Sequence, residues 1–441
     1  MNNQRPINLG LKSLLIFSIP SIVSSMIEPL TATVDTALVG RLDTQWLAAL
    51  AVATVIFSSF TWMFNFLIHA STQAVSEAFG SGDWAKVTSK IKVSLGFATV
   101  IGLVSTLVLF LVRHQLYSLA GASEEIVIYV EAYFLIRLIG HPFTLLYTTL
   151  VSVLRGLTKV NISLYLIALS TSVNVLLSWV FLYKLDMGLQ GVAWGSVIAN
   201  MIGVFAALFI LILEKELRKN FFKSKLDTSH ILHFGKNSFD LFGRSFTLTL
   251  CFFLCTKIAA GLGTISLAAH QVMLQVWLFS SFFIDGVALT GNILGANFLA
   301  KGETQKLKLL SMRLLGLGSL MGLAFTIIYF CSQSQIIGLF TKDELVINAI
   351  SPIWWVLAIS QLLASIAYVY DGILFGLGEF SYLRKHMIIA FIVVFLPVSM
   401  ITLVQNNLIY LWAALSLLAV YRLFMGHFGV KKVIGKYYEK I

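Results

Sequence analysis

The chain has 441 residues, 58% of them hydrophobic and 12% charged, with a mean hydropathy of +0.88. A soluble domain carries about 25% charged residues, so roughly half the charge needed for a water-facing surface is present and a string of soluble domains is excluded. The net charge of +11 and pI of 9.5 leave a nucleic-acid partner to be considered, but the placement of the basic residues points elsewhere.

Apolar runs of twenty or more residues recur from end to end, and each can cross a hydrocarbon core of about 30 Å as a helix. In chain order the predicted helices cover 13–38, 46–78, 90–112, 126–153, 161–183, 190–214, 232–260, 267–298, 309–331, 348–376, 386–405 and 408–428. The chain therefore reads as an all-α polytopic membrane protein of twelve helices. The longest polar interruption, EKELRKNFFKSKLDTSH, follows the sixth helix. The N-terminus lacks a small-residue cleavage site, so the first apolar run is expected to be retained.

The basic residues are sorted by side. Of 31 Lys and Arg, five lie within or at the ends of helices (Arg137, Lys236, Arg244, Lys257 and Arg313). Four fall on one side of the membrane (Arg41, Arg113, Lys184 and Lys342) and 22 on the other, Arg5, Lys215 and Arg422 among them. The positive-inside rule then puts both termini and the central loop in the cytoplasm. The basic pI is a topology signal, and no nucleic-acid partner follows from it.

The sequence also repeats. A shift of 220 residues lays RLDTQWLAALAV (41–52) on GLGTISLAAHQV (261–272) and pairs Gly82 with Gly302 and Gly156 with Gly376, without a gap. Each half holds six helices, so both enter the membrane in the same sense, as in parallel-repeat secondary transporters. The expected organisation is an N-terminal bundle (1–213), a cytoplasmic linker (214–231) and a C-terminal bundle (232–441), flanking a central cleft.

Ionisable residues inside a membrane cost about 2.5–3.5 kcal/mol each on insertion scales, so each asks for a reason. The first helix carries Glu28 and Asp35, seven residues apart on one face, with Thr31 between them. Pro20 and Pro29 lie in the same helix, and each removes a backbone hydrogen bond and favours a bend. Candidate partners for Asp35 are Asn174 and Ser178, four apart on the fifth helix, and Ser196 on the sixth. These groups can hold a protonated carboxylate or offer oxygens to a sodium ion; both serines equally fit ordinary interhelical hydrogen bonding. Burial disfavours an ionised carboxylate, which makes a proton the simpler coupling ion.

The second half does not repeat these acids. It has Arg244 and Lys257 in the seventh helix, Asp285 in the eighth and Asp371 in the tenth. Arg244 with Asp285 or Asp371 reads equally as a buried ion pair that fixes packing and as a substrate-binding group. Glu131, Arg137 and Asp240 are expected to be interfacial or paired. Cys251, Cys255 and Cys331 have neither metal-ligand nor redox spacing, and His69 and His270 lack a second ligand, so all five read as structural. Trp62, Phe64, Phe66, Trp277, Phe282 and Phe283 fit packing, or the walls of a cavity for flat cations. No GxxxxGK[ST] loop is present to bind ATP.

Together, IPSIVSSMIEPLTATVDTALVGRLD, LRGL at 154, LAAHQV at 267, Asn174 followed by GVAWGSVIA, and FGRSFTLTLCF with IDG and YDGILFGLG resemble the multidrug and toxic compound extrusion (MATE) family. The last three point to its DNA-damage-inducible F-like branch. The resemblance implies twelve helices in two lobes and export of lipophilic, cationic compounds against inward proton or sodium flow. It makes Asp35 the coupling carboxylate, Asn174 and Ser196 its neighbours, and Pro20 the bend. Many relatives have a second acid where Ser178 stands, and its loss favours protons; Glu28 is a candidate substitute. The expectation is a proton-driven antiporter of the cytoplasmic (inner) membrane, working as a monomer. Its partners are organic cations and the lipid bilayer, without cofactor or resident metal, sodium at Asp35 being the alternative. A flippase for lipid-linked saccharides is the other alternative, although it calls for several central cations and here the intramembrane acids match or outnumber the bases; an intramembrane enzyme needs a cleanly spaced nucleophile–base set, and none stands out in the sequence.

Overall fold

A computed structural model of the chain describes residues 9–40, 42–221, 224 and 228–438, except for the side chains of residues 28, 62, 437 and 438. Glu28 and Trp62 as candidate side chains, and Arg5 and Arg41 in the charge count, therefore lie outside the described set. Among the described residues, twelve helices are long and apolar enough to cross a membrane: Leu11–Val39, Thr44–Gly80, Trp84–Leu119, Glu124–Gly156, Val160–Tyr183, Gly188–Leu213, Thr228–Gly261, Thr264–Ala300, Thr304–Cys331, Trp354–Gly376, Phe380–Gln405 and Ile409–Lys436. There is no strand among the described residues. The chain is a multi-pass helical membrane protein.

Most differences from the sequence reading have local causes. The tenth helix starts at Trp354 instead of 348, because Pro352 cannot donate into the ladder; Glu344–Ile350 becomes a separate short helix, capped by Asp343 through Leu345 N at 2.9 Å. The second helix is interrupted at Asn65. The eleventh contains a wider π-type turn, Ala390–Phe395, directly ahead of Pro397, whose missing N–H loosens the preceding turn. Arg422, counted above with the cytoplasmic cations, instead lies well inside the last helix, Ile409–Tyr438, and is buried.

The backbone carries the repeat further than sequence identity does. Left-handed residues recur at the 220-residue shift: Gly82 (φ 75°) with Gly302 (φ 69°), Thr158 (φ 59°) with Gly378 (φ 74°), and Asp186 (φ 48°) with Asn406 (φ 51°). Packing repeats as well. A Cβ at Gly156 would stand 3.0 Å from the Thr72 carbonyl, and one at Gly376 would stand 2.8 Å from the carbonyl of Asn292, the residue equivalent to Thr72. Only glycine allows those helices to touch backbone to backbone.

By packing, the chain divides into two compact units, one of Val23–Ser238 and one of Met1–Ile22 with Phe239–Ile441. The repeat places the division in the 214–231 loop, whereas packing also cuts the first helix just beyond Pro20. The reason is visible in the second unit. Ser18 Oγ lies 2.8 Å from Thr290 Oγ1, Arg313 donates to the Leu9 carbonyl, and Gly286 leaves room for the backbone of Ile22.

Candidate functional site

In the Val23–Ser238 unit the fifth helix is polar on its buried side. Its buried residues are Val160, Ser163, Leu166, Ser170, Asn174, Ser178 and Leu182, a run at three- and four-residue spacing that forms one stripe. Leu169, Leu176 and Trp179 are exposed on the other side, as a helix turning its apolar face to lipid would arrange them. Two hydroxyls of the stripe are satisfied by backbone: Ser163 donates to Val151 O at 3.3 Å and Ser170 to Ala199 O at 3.1 Å.

The next residues in the stripe are different. Asn174 Nδ2 donates to Ser196 Oγ at 2.8 Å, while Asn174 Oδ1 and Ser178 Oγ are buried without a hydrogen-bond partner. Gly195 sets this geometry. A Cβ there would meet Ser178 N at 2.8 Å and Oγ at 2.9 Å, so the fifth and sixth helices are in backbone contact at Ser178.

The first helix presents Thr31 and Asp35 to this stripe. Thr31 Oγ1 donates to Ile27 O at 3.0 Å and reaches Thr171 Oγ1 at 3.5 Å. Asp35 is 8% exposed, its Oδ1 is buried without a partner, and its carboxyl group stands beside the Ser178 hydroxyl. Three oxygens (Asp35 Oδ1, Asn174 Oδ1 and Ser178 Oγ) thus share one buried locus with unused acceptor capacity. Buried polar atoms are nearly always paired, and here three exceptions fall together. Asp35, Asn174, Ser178, Ser196 and Thr31 are brought together; Pro20 lies in the other unit.

Two participants were not anticipated. Thr171 continues the stripe one turn from Asn174. Arg137, on the fourth helix, lies within electrostatic reach of Asp35. It was expected to be interfacial or paired. Instead it makes no ion pair within 4 Å among the described residues and lies with its guanidinium 5.5 Å from the Phe57 ring centroid. Glu131 is paired with Arg113 at 3.1 Å, and Asp240 with Arg384 at 3.1 Å.

The other unit holds a separate charge cluster. Asp371 Oδ2 accepts from both Arg244 and Arg422, the latter at 2.6 Å. All three side chains are buried, and each guanidinium also covers a ring 4.9 Å away, Phe375 for Arg244 and Tyr368 for Arg422. Asp285 is exposed, makes no ion pair among the described residues, and lies within electrostatic reach of both arginines. Tyr382, His386 and Tyr421 join Arg244, Asp371 and Arg422 around a small cavity whose other walls are apolar. Cys251, Cys255 and His270 are buried in packing, His270 against Trp412. Trp277 also packs on Trp412.

Twelve apolar helices in two repeat-related units, with polar oxygens buried among them, place the molecule in the class of membrane transporters. The MatE family model matches residues 20–180 and 241–401, two stretches that start 221 residues apart. The chain belongs to the MatE family. It is 27% identical to Protein DETOXIFICATION 45, chloroplastic, of Arabidopsis thaliana over 407 residues, covering 87% of this chain and 72% of that protein. With the DNA damage-inducible protein F of Escherichia coli it shares 25% identity, over 86% of this chain and 83% of that one. In fold it matches a crystal structure of a MATE protein in the bent conformation, with a TM-score of 0.90 at 17% identity, covering 100% of this chain and 99% of the other.

Proposed function

We propose that this MatE-family efflux transporter is a proton-driven antiporter of the cytoplasmic membrane that exports lipophilic cations, with Asp35 as the group that alternates between proton and cargo. The family is one of transporters for multiple drugs and toxic compounds; the coupling ion, the substrate class, the cytoplasmic termini and the monomeric state are our reading. The observation that carries it is the buried locus of Asp35, Asn174 and Ser178, where one ionisable group has no hydrogen-bonded partner on Oδ1. A carboxylate locked to a guanidinium could not cycle, and no arginine stands within ion-pair distance of Asp35 among the described residues.

In this scheme a proton from outside neutralises Asp35 and removes its attraction for a bound cation. Loss of that proton to the cytoplasm restores the charge and the cation-binding state. Pro20 and Pro29 give the first helix a place to bend as the charge changes, since each leaves a carbonyl one turn upstream without its N–H partner. Alternating access between two six-helix halves would carry the site from one face to the other.

The test is ethidium efflux from proteoliposomes under an imposed pH gradient. Wild-type protein is expected to export against the gradient, and collapse of the gradient to stop it. Asp35→Asn, which keeps the shape but cannot lose a proton, is expected to abolish coupled export; full transport by that variant removes Asp35 from the mechanism.

A further inference from the structure

Arg137 is a cation inside a membrane span for which the scheme above has no use. Its side chain is half-buried, it has no carboxylate within 4 Å among the described residues, and its guanidinium lies 5.5 Å from the centre of the Phe57 ring. An unpaired arginine at such a depth is costly enough to require a reason. Its surroundings supply one. Tyr133 and His141, one turn to either side on the same helix, are buried, and His141 Nε2 lies 3.0 Å from Ser105 Oγ. Phe57 comes from the second helix and Ser178 from the fifth. Among these described groups the acid within electrostatic reach of Arg137 is Asp35.

We propose that Arg137 is a resident counter-cation of the Asp35 site, which excludes sodium from it and restricts coupling to protons. This rests on the antiport reading of Asp35 and adds its ion selectivity.

The locus offers the oxygens a sodium ion needs: the Asp35 carboxylate, Asn174 Oδ1 and Ser178 Oγ, with Ser196 Oγ beside them. Oxygen sites hold hard cations by ligand number and, above all, by the count of negative charges. Among the described side chains one carboxylate stands against one guanidinium, and these two charges offset each other before any ion arrives. Arg137 repels an incoming sodium ion and an incoming proton alike. The two differ in what remains. A carboxyl group binds a proton covalently even in water, near pH 4, and burial strengthens that bond by disfavouring the ionised form. Sodium has no such reserve, because its whole affinity comes from the electrostatics that Arg137 cancels. Distance is part of the device. An arginine in direct contact would lock Asp35, whereas one held back by its seat on Phe57 neutralises the field without occupying the oxygens.

The experiment compares wild-type protein with Arg137→Met, Arg137→Lys and Asp35→Asn, read by retention of radioactive sodium on the purified protein and by ethidium efflux under a pH gradient or a sodium gradient alone. Wild-type and Arg137→Lys proteins are expected to ignore sodium in both assays. Arg137→Met is expected to retain sodium through Asp35 at least about tenfold better, since a unit charge within the site is worth more than the 1.4 kcal/mol of a tenfold change. Its efflux is then expected to respond to a sodium gradient. A merely structural role for Arg137 would change expression and rate without creating sodium binding. Sodium indifference of folded Arg137→Met, or sodium-driven efflux by wild-type protein, overturns the proposal; if Arg137→Met does not fold, the wild-type sodium assays decide. Asp35→Asn keeps the two claims apart: full efflux by that variant defeats the antiport reading whatever Arg137 does.

Discussion

Asn174 donates its amide to Ser196 Oγ at 2.8 Å, and this bond decides which way the carbonyl of Asn174 faces. With Nδ2 held by the sixth helix, Oδ1 is left buried and unpaired. Ser196 therefore acts on the site through Asn174. Ser196→Ala is expected to leave a buried amide donor unsatisfied, at roughly 1–3 kcal/mol, and to lower efflux several-fold. Ser196→Thr, which restores the acceptor, should recover both. Thermal unfolding in detergent and proteoliposome efflux check the pair.

Gly195 makes the second prediction. A methyl group there would lie 2.8 Å from Ser178 N and 3.2 Å from Ser178 Cα, both backbone atoms. Gly195→Ala must therefore push the fifth and sixth helices apart, at about 1–3 kcal/mol. Trimming the facing side chain as well, in Gly195→Ala/Ser178→Ala, is expected to give little rescue. Recovery of the wild-type melting temperature by the double variant would show that the contact is with the hydroxyl alone.

The Asp371 cluster predicts an unequal series. Asp371→Ala strands two buried guanidinium groups on Arg244 and Arg422, and breaking a buried pair from one side costs roughly 3–5 kcal/mol. Arg244→Met leaves the Arg422–Asp371 pair in place and should cost less. Asp285 is exposed and makes no ion pair among the described residues, so Asp285→Asn is expected to stay within about 0.5 kcal/mol of wild type. Melting temperatures of the three variants rank them.

Gly286 predicts the behaviour of the first helix. A Cβ at that position would stand 2.5 Å from Ile22 N and 2.6 Å from Ile22 Cα. Gly286→Ala is expected to displace residues around Ile22 and strain the neighbouring Ser18–Thr290 contact of 2.8 Å. Shortening the facing side chain, Ile22→Ala, should not compensate. A cysteine pair replacing Ser18 and Thr290 should lose its cross-link in the Gly286→Ala background and keep it otherwise.

Much of the site was legible in the chain because its signals are local. Asn174 and Ser178 stand four apart in an otherwise apolar helix, and a polar stripe in such a helix has to face protein or a cavity. Asp35 announced itself in the same way, and the positions that need left-handed backbone repeat as Gly82 and Gly302. The surroundings of Arg137 and Arg422 were not legible, for the opposite reason. Nothing in the residues around Arg422 says that it is paired with Asp371, 51 positions earlier, and its nearness to the chain end made it look like an interfacial cation.

By itself the sequence determined the twelve helices, the duplication and the presence of acids in the first helix, since apolar length, spacing and the cost of a buried charge are properties of short stretches of chain. Only the tertiary structure decided the partners: Asp371 between two arginines, Asp35 faced but not bound by Arg137, and residues up to Ile22 packed with the second unit. A membrane helix that is apolar on nearly every face carries little periodic signal for its rotation, and rotation is what chooses which charges meet.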